Sequence, residues 1–259
     1  MASEHQSEMK ADVGAIVTAM TDGEQPFICE TIKSVLSDPL VGQVVLCIEE
    51  NNNWIDLVLG AYIADPRLKL LRLPLSPAGY VRNKALKYIK MPWVAYCDGD
   101  DVWCEGKIFS QLSYARELKC DFVGSDHYLT DEKGYICALS PARYFPIPSS
   151  WIVIAEIMRQ NPFIEVPYSV TSEDDEWWIR TSKSVTKARC PKMLVKYRVR
   201  QSSTSNNTES KKRKAKIVTL SSIPVFGTFI FLGTWLMWIF TRQKTYMWYR
   251  GWGKDKSID

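Results

Sequence analysis

From Val13 to Tyr128 the chain repeatedly exchanges one hydrophobic period for another, and this limits its possible folds more than any other feature. Val13 to Ala19 is a run of β-branched and small apolar residues. Asp22 and Gly23 then supply a turn, and Ile28, Ile32, Val35 and Leu36 follow at helical spacing. The same exchange predicts strands over 44–48, 68–73, 93–97 and 122–128, and helices over 55–62, 81–89 and 108–118. Strands alternating with helices form a mostly parallel, Rossmann-like sheet flanked by helices, an α/β class. Asp131-Glu132-Lys133-Gly134 predicts a hairpin turn after the last of these strands.

In such sheets ligands bind outside the carboxyl ends of the strands. Two of those ends are acidic: Glu49-Glu50-Asn51 after the second strand and Asp98-Gly99-Asp100-Asp101 after the fourth. Carboxylates this close repel one another, so a bound cation that offsets the repulsion is expected. Hard oxygen ligands at this spacing suit Mg²⁺ or Mn²⁺ shared with a diphosphate, with Asp98, Asp100 and Asp101 as candidate ligands.

Composition removes several alternatives. The net charge of +4 hides an imbalance: residues 200–259 hold 11 Lys+Arg against 3 Asp+Glu, leaving 22 against 26 for the rest. The body is therefore mildly acidic, and no nucleic-acid partner is expected. Seven cysteines, without a C-x-x-C pair, suit a reducing cytosol better than a disulfide framework or a zinc site. With only His5 and His127, a histidine triad or histidine-rich metal site is excluded. Residues 1–12 form a polar leader without the apolar run of a secretory signal.

Six segments in order carry a resemblance: Ala15 to Ala19; Glu49-Glu50-Asn51; Val81-Arg82-Asn83-Lys84-Ala85-Leu86; Cys97 to Trp103 with Lys107; Glu173 to Arg180; and Tyr197-Arg198-Val199 followed by Ser202 to Ser205. Together they resemble the family 2 glycosyltransferases, over 13–205, and this implies the GT-A fold. The resemblance implies a nucleotide-sugar donor, a UDP-sugar being favoured. Thr18, Glu50, Arg82, Asp98 and Asp100 would bind that donor, Asp98 toward the ribose and Asp100 on a metal, with Asp101 assisting. Glu49 and Glu50 stand where relatives usually carry aspartates, so the base remains open. Arg82, following Gly79 at a helix start, would lie near the diphosphate.

The resemblance also places the general base of an inverting transfer at Asp174, with Glu173 as its substitute. Ser172 as N-cap with Asp175 closing a capping box, and Glu176 with Arg180 as a surface ion pair, are the structural roles open to the same residues. Of Trp177 and Trp178, at least one is expected in the core, because adjacent helix positions point apart. His127 is expected as a polar surface or turn residue. Asn161-Pro162-Phe163 and Pro167 to Val170 faintly resemble an acceptor-side segment, and the polar stretch 201–210 reads as a loop over donor or a linker.

A basic linker over 206–216 precedes 24 residues without a charge, Ile217 to Phe240. As one helix that run would measure about 36 Å, enough to cross a hydrocarbon core of about 30 Å. Pro224, Gly227 and Gly233 leave a kinked or interfacial hairpin, or a homo-oligomer contact, as alternatives. The tail 241–259 is basic and aromatic. The expected enzyme is membrane-associated, keeps its catalytic domain in the cytoplasm and takes a glycan or lipid-linked acceptor. A nucleotidyltransferase on a similar sheet and a noncatalytic nucleotide-binding module are the other readings.

Overall fold

The computed structural model describes residues 11–142, 146–167, 169–200, 209–242 and 247–248. Its first half follows the predicted alternation: β1 (Val13–Ala19), α1 (Ile28–Leu36), β2 (Val41–Glu49), α2 (Ile55–Leu59), β3 (Leu68–Leu73), α3 (Ala78–Leu86), β4 (Trp93–Asp98), the short β5 (Val102–Trp103) and α4 (Lys107–Leu118). Then come β6 (Phe122–Thr130), β7 (Ile136–Ser140), β8 (Ile152–Ile154), α5 (Ala155–Gln160), α6 (Glu173–Arg180), β9 (Lys187–Arg198), α7 (Glu209–Ser221), α8 (Pro224–Arg242) and β10 (Met247–Trp248).

The sheet runs β10-β9-β6-β8-β4-β1-β2-β3, with β5 on β9 and β7 on β6. The parallel expectation holds from β3 to β4. Beyond β4 the sheet is mixed: β8 is antiparallel to both β4 and β6, whereas β6 and β9 are parallel. β1 is buried on both faces, as a central parallel strand should be. Val13, Ala15 and Val17 pack under α1 with Ile28, Ile32 and Val35, while Ile16 faces Val81 and Ala85 of α3. That second face is rich in aromatics: Phe122, Trp151, Phe163, Trp177 and Trp178 meet at ring distances of 5.0–6.4 Å. Both tryptophans of α6 are thus core, and neither is free to stack on a sugar.

His127 corrects another expectation. It lies inside β6, buried, with neither ring nitrogen paired among the described residues, and burial holds it well below the usual histidine range. Its imidazole packs edge-on to Tyr197.

The apolar run 217–240 is not one helix. It breaks at Ser222-Ile223 into α7 and α8, where Gly227 comes so close that a Cβ would lie 2.4 Å from the Ser221 carbonyl oxygen. The hairpin lies against β7. The Ser221 hydroxyl reaches the Cys137 carbonyl at 3.4 Å, and the Leu139 N–H donates to the Thr234 hydroxyl at 3.2 Å. Near the other end, Trp238 donates to Asp126 at 3.1 Å and Arg189 to the Thr241 carbonyl at 3.3 Å. The chain then rejoins the sheet, Met247 opposite Ala188. Both ends of α8 are therefore fastened to one domain. By length and composition Pro224–Thr241 is still a helix that could cross a membrane, and none of that stretch is buried. Tyr246, Tyr249, Arg250 and Trp252, read with the aromatic tail, lie outside the described residues, as does the loop 201–208.

Candidate active site

The parallel register sets Thr18 of β1 beside Asp98 of β4, so the two strand ends open together. The Thr18 hydroxyl donates to Asp98 at 3.2 Å. Arg82, from α3, donates to the same Asp98 oxygen at 2.7 Å with one terminal nitrogen and to Glu173 of α6 with the other. The residue is only 4% exposed, and its guanidinium joins the two acidic groups. Unpaired, a buried cation would be very costly; two carboxylates resolve that. Their charges hold Arg82 protonated although burial opposes it.

Asp100 projects from the turn after β4. Arg200 donates to it from Nε at 2.5 Å and to Glu24 at 2.9 Å, and its remaining nitrogen reaches the Gly23 carbonyl at 2.7 Å. Burial pushes the Asp100 carboxyl up to about 6; Arg200 opposes this, and the charges of Asp98 and Glu24 add to it. Asp101 is different. It is fully buried, accepts from the Ser149 hydroxyl at 2.5 Å and from the Arg198 N–H at 3.0 Å, and burial raises it well above the usual carboxylate range. Grouped with Asp98 and Asp100 as a cation ligand by sequence, it is turned inward and braces the loop.

Arg198 extends the brace. Its Nε donates to the Asp100 carbonyl at 2.9 Å, and its terminal nitrogens reach Glu132 and Glu30, at 2.6 and 2.7 Å. Glu24, Glu30, Ser149 and Arg200 were not among the sequence candidates. Arg198 and Arg200 were detectable in principle, since residues two apart at the end of a strand share a face.

At α6, Ser172 stands at the N-cap position, but its hydroxyl donates to Asp174, and no capping box with Asp175 forms. Glu173 is buried against Arg82; burial raises its pKa, Arg82 lowers it, and Asp174 adds repulsion. Asp175, exposed, is raised to about 6 by partial desolvation and its acidic neighbours, with Lys214 of α7 opposing. Glu176 and Arg180 form the expected i,i+4 pair at 2.7 Å. Glu50 is exposed at the end of β2, and the side chain of Glu49 is taken by Asn51. The segment at 161–164 is pinned to α3: Asn83 accepts from the Phe163 N–H at 3.0 Å and donates to its carbonyl at 2.8 Å. Tyr168 lies outside the described residues.

No three His, Cys, Asp or Glu side chains converge as a self-sufficient metal site among the described residues. Asp98 and Asp100 nevertheless offer hard oxygens at one cleft edge, and the Arg200 guanidinium already sits as a cation on Asp100. That donor set fits Mg²⁺ or Mn²⁺ that takes its other ligands from water and a diphosphate, the usual habit of Mg²⁺.

The profile of glycosyl transferase family 2 matches residues 16–179, more than half of the chain. The chain belongs to this family. It is a glycosyltransferase. The *Escherichia coli* protein WfgD, a UDP-Glc:α-D-GlcNAc-diphosphoundecaprenol β-1,3-glucosyltransferase, is 26% identical over 191 residues, 70% of this chain and 75% of the relative. WfaP of *E. coli*, of the same described activity, is 27% identical over 196 residues, again 70% and 75%. Among solved structures, *S. aureus* TarS 1–349 in complex with UDP-GlcNAc superposes with a TM-score of 0.62 at 15% identity, covering 81% of this chain and 66% of that one. A mannosyltransferase from *Pyrobaculum calidifontis*, in complex with GDP-Man and Mn²⁺, gives 0.58 at 13% identity over 74% and 58%. At such identities these two structures establish the GT-A fold alone.

Proposed function

We propose that this transferase moves a sugar, with inversion, from a UDP-sugar to a hydroxyl of a lipid-diphosphate-linked glycan, assisted by Mg²⁺ or Mn²⁺. The observation that carries the reading is Arg82, which holds Asp98 and Glu173 on one guanidinium and so draws the strand-end acids and the α6 acids into one cleft. Glu50 accepts from the uracil edge, and Thr18 and Asp98 face the ribose. Asp98 and Asp100 would hold the cation, which offsets the charge that develops on the departing diphosphate.

Asp174 is the base. Glu173 is committed to a buried guanidinium, whereas Asp174 is half-buried and carries a hydroxyl, that of Ser172, on its carboxylate. A carboxylate so placed on the first turn of a helix takes the acceptor proton as the hydroxyl attacks from the face opposite the diphosphate.

The enzyme works at a membrane surface, with α8 lying flat. Phe226, Phe229, Leu236 and Phe240 are exposed on that helix, Phe229 at 70% and Phe240 at 75%, while Lys212, Arg213 and Lys216 are exposed on α7. An apolar face beside a basic one suits an anionic bilayer, and the cytoplasmic leaflet carries both that charge and the nucleotide sugars. A self-associating tail is the competing use of this face; sedimentation in detergent separates the two.

The test is a donor screen with the full chain, Mn²⁺ and a GlcNAc-diphosphate-lipid acceptor, read by nucleotide release and product mass. UDP release with a β-linked product is expected. Release of pyrophosphate, or transfer that survives both Asp100→Asn and Asp174→Asn, overturns the reading.

A further inference from the structure

Between the β6–β7 turn and the start of α8 runs a groove of about 730 Å³ that the transfer chemistry does not use. Its volume is that of a ligand site. Lys133 and Ile136 form one wall, and Ser222, Gly227, Phe231 and Leu232 form the other. Gly227 keeps the groove and its turn compact, since any Cβ there would meet the Ser221 backbone. One end opens on α8, whose outer surface exposes Val225, Phe226 and Phe229, and no charge falls between Pro224 and Thr241. The other end lies at the β6–β7 turn. Arg198 holds that turn through the Glu132 carbonyl at 2.6 Å and reaches the Asp100 carbonyl at 2.9 Å with the same guanidinium.

The groove thus lies between α8, which exposes apolar side chains, and a turn that Arg198 links to the Asp100 loop. Its polar end carries exposed Lys133, and the carboxylate of Asp131 there already accepts from the Tyr135 N–H at 2.8 Å. A hydrocarbon chain with an anionic head suits this combination of Ile136, Phe231 and Leu232 with Lys133. We propose that the groove seats the first part of the isoprenoid chain of the acceptor, with Lys133 meeting its diphosphate. This deepens the lipid-linked acceptor reading and rests on it. Apolar lining releases water from the chain, and a single ammonium fixes the head without competing with the donor's cation.

The probe is a benzophenone-bearing isoprenyl diphosphate, photolysed with the full-length protein in zwitterionic micelles, with labelled peptides identified by mass spectrometry. Label is expected within 131–137 and 227–232. Excess unlabelled isoprenyl diphosphate should remove it, and phosphatidylglycerol at equal concentration should not. Thr228→Trp fills the groove from α8 and Ile136→Trp from β7; either, once circular dichroism confirms folding, should cut labelling at least tenfold. Label spread evenly along Val225 to Phe240, or displaced equally by phosphatidylglycerol, would overturn the proposal in favour of plain bilayer contact. So would labelling that neither tryptophan changes. Because labelling needs no turnover, absent sugar transfer with labelling retained would sink the transferase reading and leave the groove standing. Transfer to the lipid-linked acceptor without labelling would do the reverse.

Discussion

The two halves of the sheet solve different problems. From β3 to β4 the strands are parallel, and β1, β2 and β4 carry no charge except at their carboxyl ends, while the edge strand β3 holds Lys69 and Arg72. From β8 to β10 the strands are mixed in direction and bury charge within the sheet: Asp126 and Arg189 pair at 2.6 Å with neither side chain exposed, and Lys187 lies over Trp177 and Trp178 at 5.1 and 4.9 Å. In β1, β2 and β4 charge stands only where the strands open. In the second half it holds the shape to which the tail attaches, since Asp126 and Arg189 both also bond α8.

Substitutions can break this division, and the largest effects belong at the strand ends and α6. Asp98→Asn or Asp100→Asn should lower nucleotide release by on the order of 10³-fold, and Asp174→Asn by about 10²–10⁴-fold. Asp174→Asn breaks no ion pair among the described residues and should melt near wild type; a large fall in its stability would erase the distinction between the halves. Arg189→Met reverses the pattern. Leaving Asp126 buried without its cation should cost about 3–5 kcal/mol in denaturant unfolding, while the remaining folded fraction keeps its donor KM.

A smaller effect separates the halves by pH. Burial lowers both Lys107 and Lys187 to about 7, against an unfolded value near 10.5. Between those values the unfolded chain binds protons that the folded one does not, so these two lysines should make stability rise with pH from about 7 to about 10. Thermal melts of Lys187→Met should show a shallower rise than wild type; an equal slope would remove Lys187 from the account. Smallest of all, Glu50→Gln should raise the donor KM a few-fold and leave stability within about 0.5 kcal/mol.

The same contrast explains what could be read from the sequence. β1 matches its predicted limits because it is a run of β-branched and small residues bounded by turn residues, and β3 matches through its four leucines although Lys69 and Arg72 lie among them. β9 opens Lys-Ala-Arg-Cys-Pro-Lys, with charges and a proline where a strand usually carries β-branched residues, and its pairing with β6 slips around Asp126, opposite the stretch that contains Pro191. Proline cannot donate to a ladder, and an irregular register accommodates it. What makes this segment a strand is remote in sequence: Asp126 for Arg189, and the α6 tryptophans for Lys187. β8 is only three residues long, too short for any period to declare itself. At the site, Asp98 and Asp100 stood out by position after a strand, and Asp174 through the family resemblance alone. The partners of those acids did not, because Arg82 to Glu173 spans 91 positions and Arg200 to Asp100 spans 100.

The return of the chain from α8 to the edge of β9 has a practical corollary for anyone trimming this protein. Cutting ahead of α8 to gain solubility would strip Trp238 from a buried carboxylate, remove a backbone acceptor from Arg189 and bare the flank of β9 that Met247 and Trp248 now cover. The greasy appendage is a rivet as well as a float, and there is no neutral place to sever it.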